Sequence, residues 1–432
     1  MVVVSEPKPA FEHTQLTYGI ELEAILAFHR EELTSKLEPN TKVVEVPYHT
    51  REVMPFTQPF INKNLKPRVY RSWGLQTGNQ CPRPYGNEPL KIAHSKLAKP
   101  GFEVQIMGDM QKESNTADKY EKWFITKDHT VRGVGSKNIS GKLPHITQEE
   151  SKDWDSFGIE VVSRVLTTGD ESYKDEIRHV VQSLKGSDND THGAFVTKQC
   201  ALHVHVQADA YESDGWLGEL ANILMVYEQE LSRLHPRHCR PEHPSAKGVK
   251  ESNRLRLLLF PDASMDETRD VDCSTQALIN KGASKSIPRI RKQLISKARR
   301  NRQDLIEFMN FPTNQRNENI RDRLVNFVPA DRPDYNGQKL PKTVEFRQHC
   351  GTLCENDINK WVDFVTGLVR LAHYYDQNPE RFPVRDWDDP TGISVFDLLR
   401  DMDATEDTVR YWQDRICRNA TEDQDSDDWE LH

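Results

Sequence analysis

Three segments of this 432-residue chain alternate apolar and ionisable residues with the period of a β-strand. They are GIELE at 19–23, LHVHV at 202–206 and VEFRQH at 344–349. Side chains at positions i and i+2 of a strand point to the same face of the sheet. The apolar residues of each segment therefore share one face. This pattern predicts a sheet that packs one face on a hydrophobic core and presents carboxylates, imidazoles and a guanidinium on the other.

The ionisable residues on that second face are restricted to a few chemical types. The predicted same-face groups are Glu21 with Glu23, His203 with His205, and Glu345 with Arg347 and His349. Glu160 in FGIEVVS adds a carboxylate to an otherwise apolar strand, and Asp128 follows the strand-like WFITK. Mg²⁺ takes oxygen ligands and often also holds substrate phosphates. Because a cation offsets the repulsion between clustered carboxylates, the pattern predicts a site for divalent metal.

Each motif also has an ordinary explanation when it is considered alone. Glu-x-Glu is common on a solvated strand, His-x-His on a sheet with satisfied histidines, and Glu-x-Arg as a cross-strand ion pair. Asp128 alone is typical of a turn residue. The recurrence of all these motifs within strand-like segments of one chain favours the metal and phosphate site.

Strand-like and helical segments alternate along the chain, with long and unequal connections. Strands are predicted near 17–26, 101–106, 121–131, 157–166, 200–208 and 342–353. Helices are predicted near 171–185, 214–235, 286–309 and 356–376. This order favours an α+β fold with an antiparallel sheet over a doubly wound parallel one. No Gly-rich phosphate loop follows any of the predicted strands.

The predicted domain organisation has three parts. Residues 1–15 form a flexible arm, and 16–390 form the catalytic domain. That domain contains a Pro- and Asn-rich insertion at about 35–120, which we expect to be irregular. Residues 391–432 form a small helical tail that ends in a disordered acidic segment.

The net charge, the apolar runs and the cysteine pattern indicate which partners and which cellular compartment to expect. The net charge is −9 and no basic block dominates, which argues against a nucleic-acid partner. No apolar run approaches a membrane span, and MVVVSEP is too short for a signal peptide. Seven scattered cysteines without a CxxC pair are typical of free thiols in a reducing compartment. We therefore expect a cytoplasmic location, with the nucleus as the alternative.

Taken in order, five segments resemble the amidoligase family, within the carboxylate–amine ligases that share the glutamine synthetase and glutamate–cysteine ligase fold. The segments, spread from about 17 to 353, are YGIELE, WFITKDHTV, FGIEVVSRVL, CALHVHV and TVEFRQHCGTL. The resemblance implies a curved antiparallel sheet with helices packed on one face. Its concave face would bind ATP and divalent metal, Mg²⁺ or Mn²⁺.

The resemblance also implies roles for individual residues. Asp128 matches an acidic position after a strand marked here by Trp123, and Arg254 and Asn326 are candidates for an Arg and an Asn that precede the last strand. The implied metal ligands are Glu21, Glu23, Asp128, Glu160 and Glu345. The implied catalytic residues are Arg347, His203 and His205. The implied nucleotide-binding residues are Arg347, His203 and Arg254.

The implied reaction is ATP-dependent amide formation through an acyl phosphate. The substrates would be a small-molecule or peptide carboxylate and an amine, and the sequence leaves their identity and the general base open. Two alternatives remain. One is a zinc-dependent hydrolase that uses the His-x-His strand, since zinc favours nitrogen and sulfur ligands. The other is a catalytically inactive binding module on the same fold.

Overall fold

The computed structural model describes residues 14–49, 69–78, 83–107, 120–188, 190–240, 283–310, 323–331, 340–383 and 393–425. The strands are β1 Thr17–His29, β2 Thr41–His49, β3 Val69–Thr77, β4 Arg83–Pro84, β5 Val104–Ile106, β6 Trp123–Lys127, β7 Trp154–Val162, β8 Leu166–Thr167, β9 His192–Phe195, β10 Ala201–Gln207, β11 Val325–Asn326 and β12 Thr343–Cys350. The α-helices are α1 Arg30–Thr34, α2 Leu90–Leu97, α3 Ser136–Ile139, α4 Ser172–Lys185, α5 Gly215–Val226, α6 Glu228–Arg233, α7 Ala283–Arg300, α8 Arg302–Met309, α9 Glu355–Gln377, α10 Val395–Asp401 and α11 Glu406–Asp425.

The main sheet has β1 near its centre. Within the described residues its order is β11-β12-β10-β1-β7-β6-β5, and β8 and β9 also pair with β1. These pairs are antiparallel except for β5 with β6, which is parallel. The fold is thus α+β with a large, mostly antiparallel sheet, as the long connections between strands indicate.

The apolar face of the central strands is buried against helices. Its residues are 0–1% exposed and are Ile20, Leu22, Val204, Val206, Val344 and Phe346. They join one hydrophobic core with residues of α5 and α9, such as Leu220 and Val365. The period-2 pattern of the sequence therefore predicts correctly which face of the sheet is packed, and leaves the opposite face for the ionisable residues.

Three regions contain more, or different, regular structure than the sequence predicts. In the insertion, β2, β3 and β4 form a separate antiparallel sheet, and α2 buries Leu90, Ile92, Ala93 and Leu97. The helix expected at 214–235 is two helices, α5 and α6, with Tyr227 between them. Helix α11 continues to Asp425, into the acidic segment expected to be disordered. Burial of apolar side chains explains why α2 is ordered despite its polar surroundings in sequence.

Two arginines of the basic helix α7 pair with buried carboxylates of neighbouring helices. Arg291 forms a two-oxygen pair with the buried Glu219, and Arg299 contacts the buried Asp376. Gly218 lets the helices approach closely, because a Cβ there would lie 2.6 Å from the Ile295 Cα. These basic side chains therefore hold α7 against α5 and α9. Among the described residues, no helix has the length and apolar character needed to cross a membrane.

Candidate functional site

The predicted ionisable groups meet on one face of the main sheet. Glu21 lies opposite His203, and Glu23 lies opposite Glu160. His205 lies opposite Glu345 on the next strand. We call this surface the polar face; it comprises Glu21, Glu23, Glu160, His203, His205, Glu345 and Arg347. Strands that are distant in sequence thus bring the separate motifs into adjacent positions.

His203 lies among three carboxylates at the centre of the polar face. Its Nδ1 is 3.2 Å from Glu21 Oε2 and 3.6 Å from Glu345 Oε1, while its Nε2 is 3.7 Å from Glu23 Oε1. The His203 side chain is only 5% exposed, so these contacts are largely shielded from water. The Glu23 carboxylate is fixed from another side, because it accepts a hydrogen bond from the Ala201 N–H at 2.8 Å.

His205 makes a second set of contacts. Its Nε2 is 3.2 Å from Glu21 Oε1 and 3.9 Å from Glu345 Oε1, and its Nδ1 is 3.2 Å from the Thr343 hydroxyl. Two groups of donor atoms, each within 4.8 Å of one another, result: Glu21, His205 and Glu345, and Glu21, Glu160 and His203. Glu21 belongs to both groups.

Glu345 is held by an amide and a guanidinium. The Asn326 Nδ2 donates to Glu345 Oε2 at 2.7 Å, and Arg347 Nη1 donates to Glu345 Oε1. Asn326 is in turn oriented by Asn310, whose Nδ2 donates to Asn326 Oδ1 at 3.0 Å. The buried Arg347 Nε has no hydrogen-bond partner among the described residues. This N–H is therefore a strong donor that no described residue satisfies.

Burial and imidazole charge act against each other on these carboxylates. Burial opposes ionisation of Glu21, yet the charges of His205 and His203 hold its pKa well below the ordinary value. The pKa of Glu345 is lowered in the same way, against burial and mainly by His205. Burial raises the pKa of Glu23 despite the nearby His203. Burial acts to lower the pKa of His205, but the negative charge of Glu21 and its hydrogen bond have a larger opposite effect, so the pKa is raised overall.

A family model with the description "Putative amidoligase enzyme" matches residues 14–369. The matched range contains all the strands that carry the polar face. The chain belongs to this amidoligase family. Membership supports an enzyme of the ligase class. No curated protein matches the chain.

In this amidoligase, Asp128 lies beside the polar face and is not one of the strand residues that form it. It follows β6 in a turn, where its Oδ1 accepts from the Thr130 N–H at 2.6 Å, the Thr130 hydroxyl at 2.7 Å and the Val131 N–H at 3.3 Å. Its charge adds to burial in raising the pKa of Glu23. The turn explanation thus describes the Asp128 contacts, and its role as a metal ligand stays a prediction. Arg254 lies outside the described residues.

His349 does not lie on the polar face, contrary to the simple alternation. Leu202 pairs with His349 and Val204 with Phe346, so β12 has one residue more than β10 between these two pairs. Such a bulge reverses the facing of the residues beyond it. His349 is 0% exposed and its ring lies 5.5 Å from that of Trp361 in α9. It is therefore a core residue of the amidoligase.

The two ends of the polar face differ. Beyond Glu23, the same side of β1 is covered by a second hydrophobic cluster, in which Ile25 and Ala27 pack with Val131 and Leu143. Towards the start of β1, a cavity of about 270 Å³ is lined by residues including Gly19, Glu21 and His205. Within the described ranges, a Cβ at Gly19 would meet only Ser163 Oγ, at 3.6 Å. Gly19 therefore leaves space above the strand rather than relieving a clash.

Sequence reasoning missed three polar residues of this region. Thr343 contacts His205, and Asn310 orients Asn326. Thr126 lies opposite Glu160 in β6. Thr343 and Thr126 each stand two positions from a predicted site residue, Glu345 and Asp128 respectively. That spacing was a usable signal, whereas nothing local to Asn310 indicated its contact.

Proposed function

We propose that this amidoligase is an ATP-dependent carboxylate–amine ligase with a fold of the glutamine synthetase type. A carboxylate oxygen of one substrate attacks the γ-phosphorus of ATP, and the bond to ADP breaks to leave an acyl phosphate. The amine nitrogen of the second substrate then attacks the acyl carbon, phosphate departs with the bonding electron pair, and the nitrogen releases one proton to give the neutral amide. The observation that carries the proposal is the convergence of carboxylates, imidazoles and a guanidinium on the polar face.

The donor set fits Mg²⁺ or Mn²⁺. Carboxylate oxygens predominate in both donor groups, and such ligands suit these cations. The proposed ligands are Glu21, Glu23, Asp128, Glu160 and Glu345, together with the imidazoles of His203 and His205. When bound, the cation would supply positive charge to the phosphate oxygens of ATP. The carboxylates of this chain would hold it in place, and Asn326 would keep Glu345 oriented.

Arg347 is the proposed phosphate ligand. Its contact with Glu345 fixes the plane of the guanidinium, while its Nε has no partner among the described residues. A guanidinium fork matches the geometry of phosphoryl oxygens and stabilises charge that develops during transfer. Arg347 would therefore act on the transferred group, beside the cation that the carboxylates and the imidazoles of His203 and His205 would hold.

The cavity beside Gly19 is the proposed place for the nucleoside part of ATP. Its volume of about 270 Å³ is close to the lower end of small-molecule sites, about 300 Å³. Val162, Val165 and Pro341 contribute apolar surface, and Gln207 contributes an amide. Because Glu21 and His205 also line it, a nucleotide there would direct its phosphates towards the polar face.

Transfer of ¹⁸O tests the acyl phosphate directly. Purified protein, ATP and Mg²⁺ are first incubated with a metabolite extract to identify the carboxylate and the amine that are consumed. The carboxylate is then supplied with ¹⁸O, and the released phosphate is analysed by mass spectrometry. We expect one ¹⁸O atom per phosphate, because the acyl carbon–oxygen bond breaks. If the labelled carboxylate is consumed and the released phosphate carries no ¹⁸O, the acyl-phosphate intermediate is refuted. Substrate hydrolysis without ATP, restored by Zn²⁺ after chelation, would instead indicate the hydrolase.

A further inference from the structure

Thr126 has a buried hydroxyl for which the described part of the chain provides no hydrogen-bond partner. The residue is 2% exposed, and its Oγ1 makes no hydrogen bond among the described residues. A hydroxyl removed from water without compensation lowers the stability of the protein. Valine has almost the same shape and an equally strong preference for strands, so packing alone gives no reason for a hydroxyl here.

The position of Thr126 directs this hydroxyl towards the polar face. Thr126 lies opposite Glu160 in the pairing of β6 with β7, and Glu160 lies opposite Glu23 in the pairing of β7 with β1. Residues directly opposite in an antiparallel pair share a face of the sheet. The Thr126 side chain therefore flanks the acidic residues on the side away from Arg347, next to the donor group of Glu21, Glu160 and His203.

The strand positions favour a contact through water. Of the three donors in this group only Glu160 lies on β7, the strand next to Thr126, while Glu21 and His203 lie on β1 and β10. Adjacent strands are about 4.8 Å apart, well beyond a metal–oxygen bond of about 2.1 Å, so the hydroxyl would reach the cation through bound water. Mg²⁺ also keeps several of its waters when proteins bind it.

We propose that Thr126 is a positioning residue of the cation site, whose hydroxyl oxygen accepts a hydrogen bond from a water bound to the divalent cation. The inference rests on the proposed function, because that function is the reason to expect a cation at this site. The contact would give the buried hydroxyl oxygen a hydrogen-bond donor and orient the water on the Glu160 side. Thr126 thereby adds a neutral oxygen to a set that otherwise consists of carboxylates and imidazoles.

The test measures Mn²⁺ affinity and thermal stability of the full chain without nucleotide. Binding is followed by electron paramagnetic resonance of free Mn²⁺, and stability by the melting temperature in EDTA. For Thr126→Val we expect affinity to fall about tenfold, the effect of one hydrogen bond, while the melting temperature in EDTA stays equal or rises. Thr126→Ser keeps the hydroxyl and should bind Mn²⁺ as the parent does.

Thr366→Val is the matched control. Thr366 is also buried, but its hydroxyl donates to the Val362 carbonyl at 2.8 Å within α9. This variant should melt at a lower temperature and bind Mn²⁺ normally. Parental Mn²⁺ affinity in Thr126→Val, or equal weakening in Thr126→Ser, would overturn the role of the hydroxyl. A parent that does not bind Mn²⁺ would overturn the cation site as well. Normal Mn²⁺ binding without ATP turnover would contradict the ligase proposal alone.

Discussion

Replacement of Arg347 by lysine separates its proposed catalytic role from a structural one. Lysine keeps the positive charge but has no planar fork, so it can contact Glu345 or a phosphoryl oxygen, and not both with good geometry. In the structure, Arg347 uses Nη1 for Glu345 and leaves its buried Nε without a partner among the described residues. The change should therefore remove one charge-assisted hydrogen bond to the transferred phosphoryl group.

The size of the effect follows from that single bond. A hydrogen bond to a charged group contributes about 2–3 kcal/mol when both partners are pre-positioned. At 1.36 kcal/mol per factor of ten, turnover should fall roughly 30- to 160-fold. Folding stability should change by only about 1 kcal/mol, because the charge beside Glu345 is retained. The assay measures kcat/KM for ATP together with the free energy of unfolding of each variant.

Arg291→Lys provides the comparison. Arg291 also pairs with a buried glutamate, in this case donating to both oxygens of Glu219, but it lies in α7 and outside the polar face. This variant should lose stability and keep its turnover. If Arg347→Lys turns over ATP at the parental rate, Arg347 only pairs with Glu345 and the assignment to phosphoryl transfer is wrong.

Other variants test the metal ligands, the cavity and the core. Mg²⁺ with a non-hydrolysable ATP analogue should raise the melting temperature of the parent, and this rise should be smaller in Glu21→Gln and in Glu345→Gln. In EDTA both variants should be at least as stable as the parent. Equal rises in the parent and the variants would contradict the role of these glutamates as ligands. Gly19→Val should raise KM for ATP about tenfold or more by filling the cavity, whereas Gly141→Val, with equally open space and its nearest neighbour at 3.7 Å, should not. Burial, aided by the charge of Arg415, lowers the pKa of His349 from 6.5 to about 4. Between these pH values the unfolded chain therefore binds more protons than the folded one, so about 3 kcal/mol of stability should be lost from pH 6.5 to 4. The free energy of unfolding of His349→Gln, measured by denaturant titration, should depend less on pH than that of the parent.

The strand period by itself determined which side chains of one strand share a face. It identified Glu21 with Glu23 and His203 with His205 as same-face pairs, and it placed Ile20 and Leu22 in the core, where both are at most 1% exposed. The signal is local and strong, because alternate residues of any extended chain point to opposite sides. Helix α4 was equally predictable, since its amphipathic pattern ends at Gly186, whose φ of 68° suits glycine.

Only the tertiary structure decided which strands are neighbours and where their alternation breaks. Glu21 and His203 meet across 182 residues of chain, and nothing in either segment specifies the other. The bulge between β10 and β12 moves His349 into the core, although local alternation assigns it to the polar face. Thr126 gains its place beside Glu160 only because β6 pairs with β7 in one register. Pairing and register depend on how the whole sheet packs against its helices, because a shift of one residue would exchange the buried and polar faces.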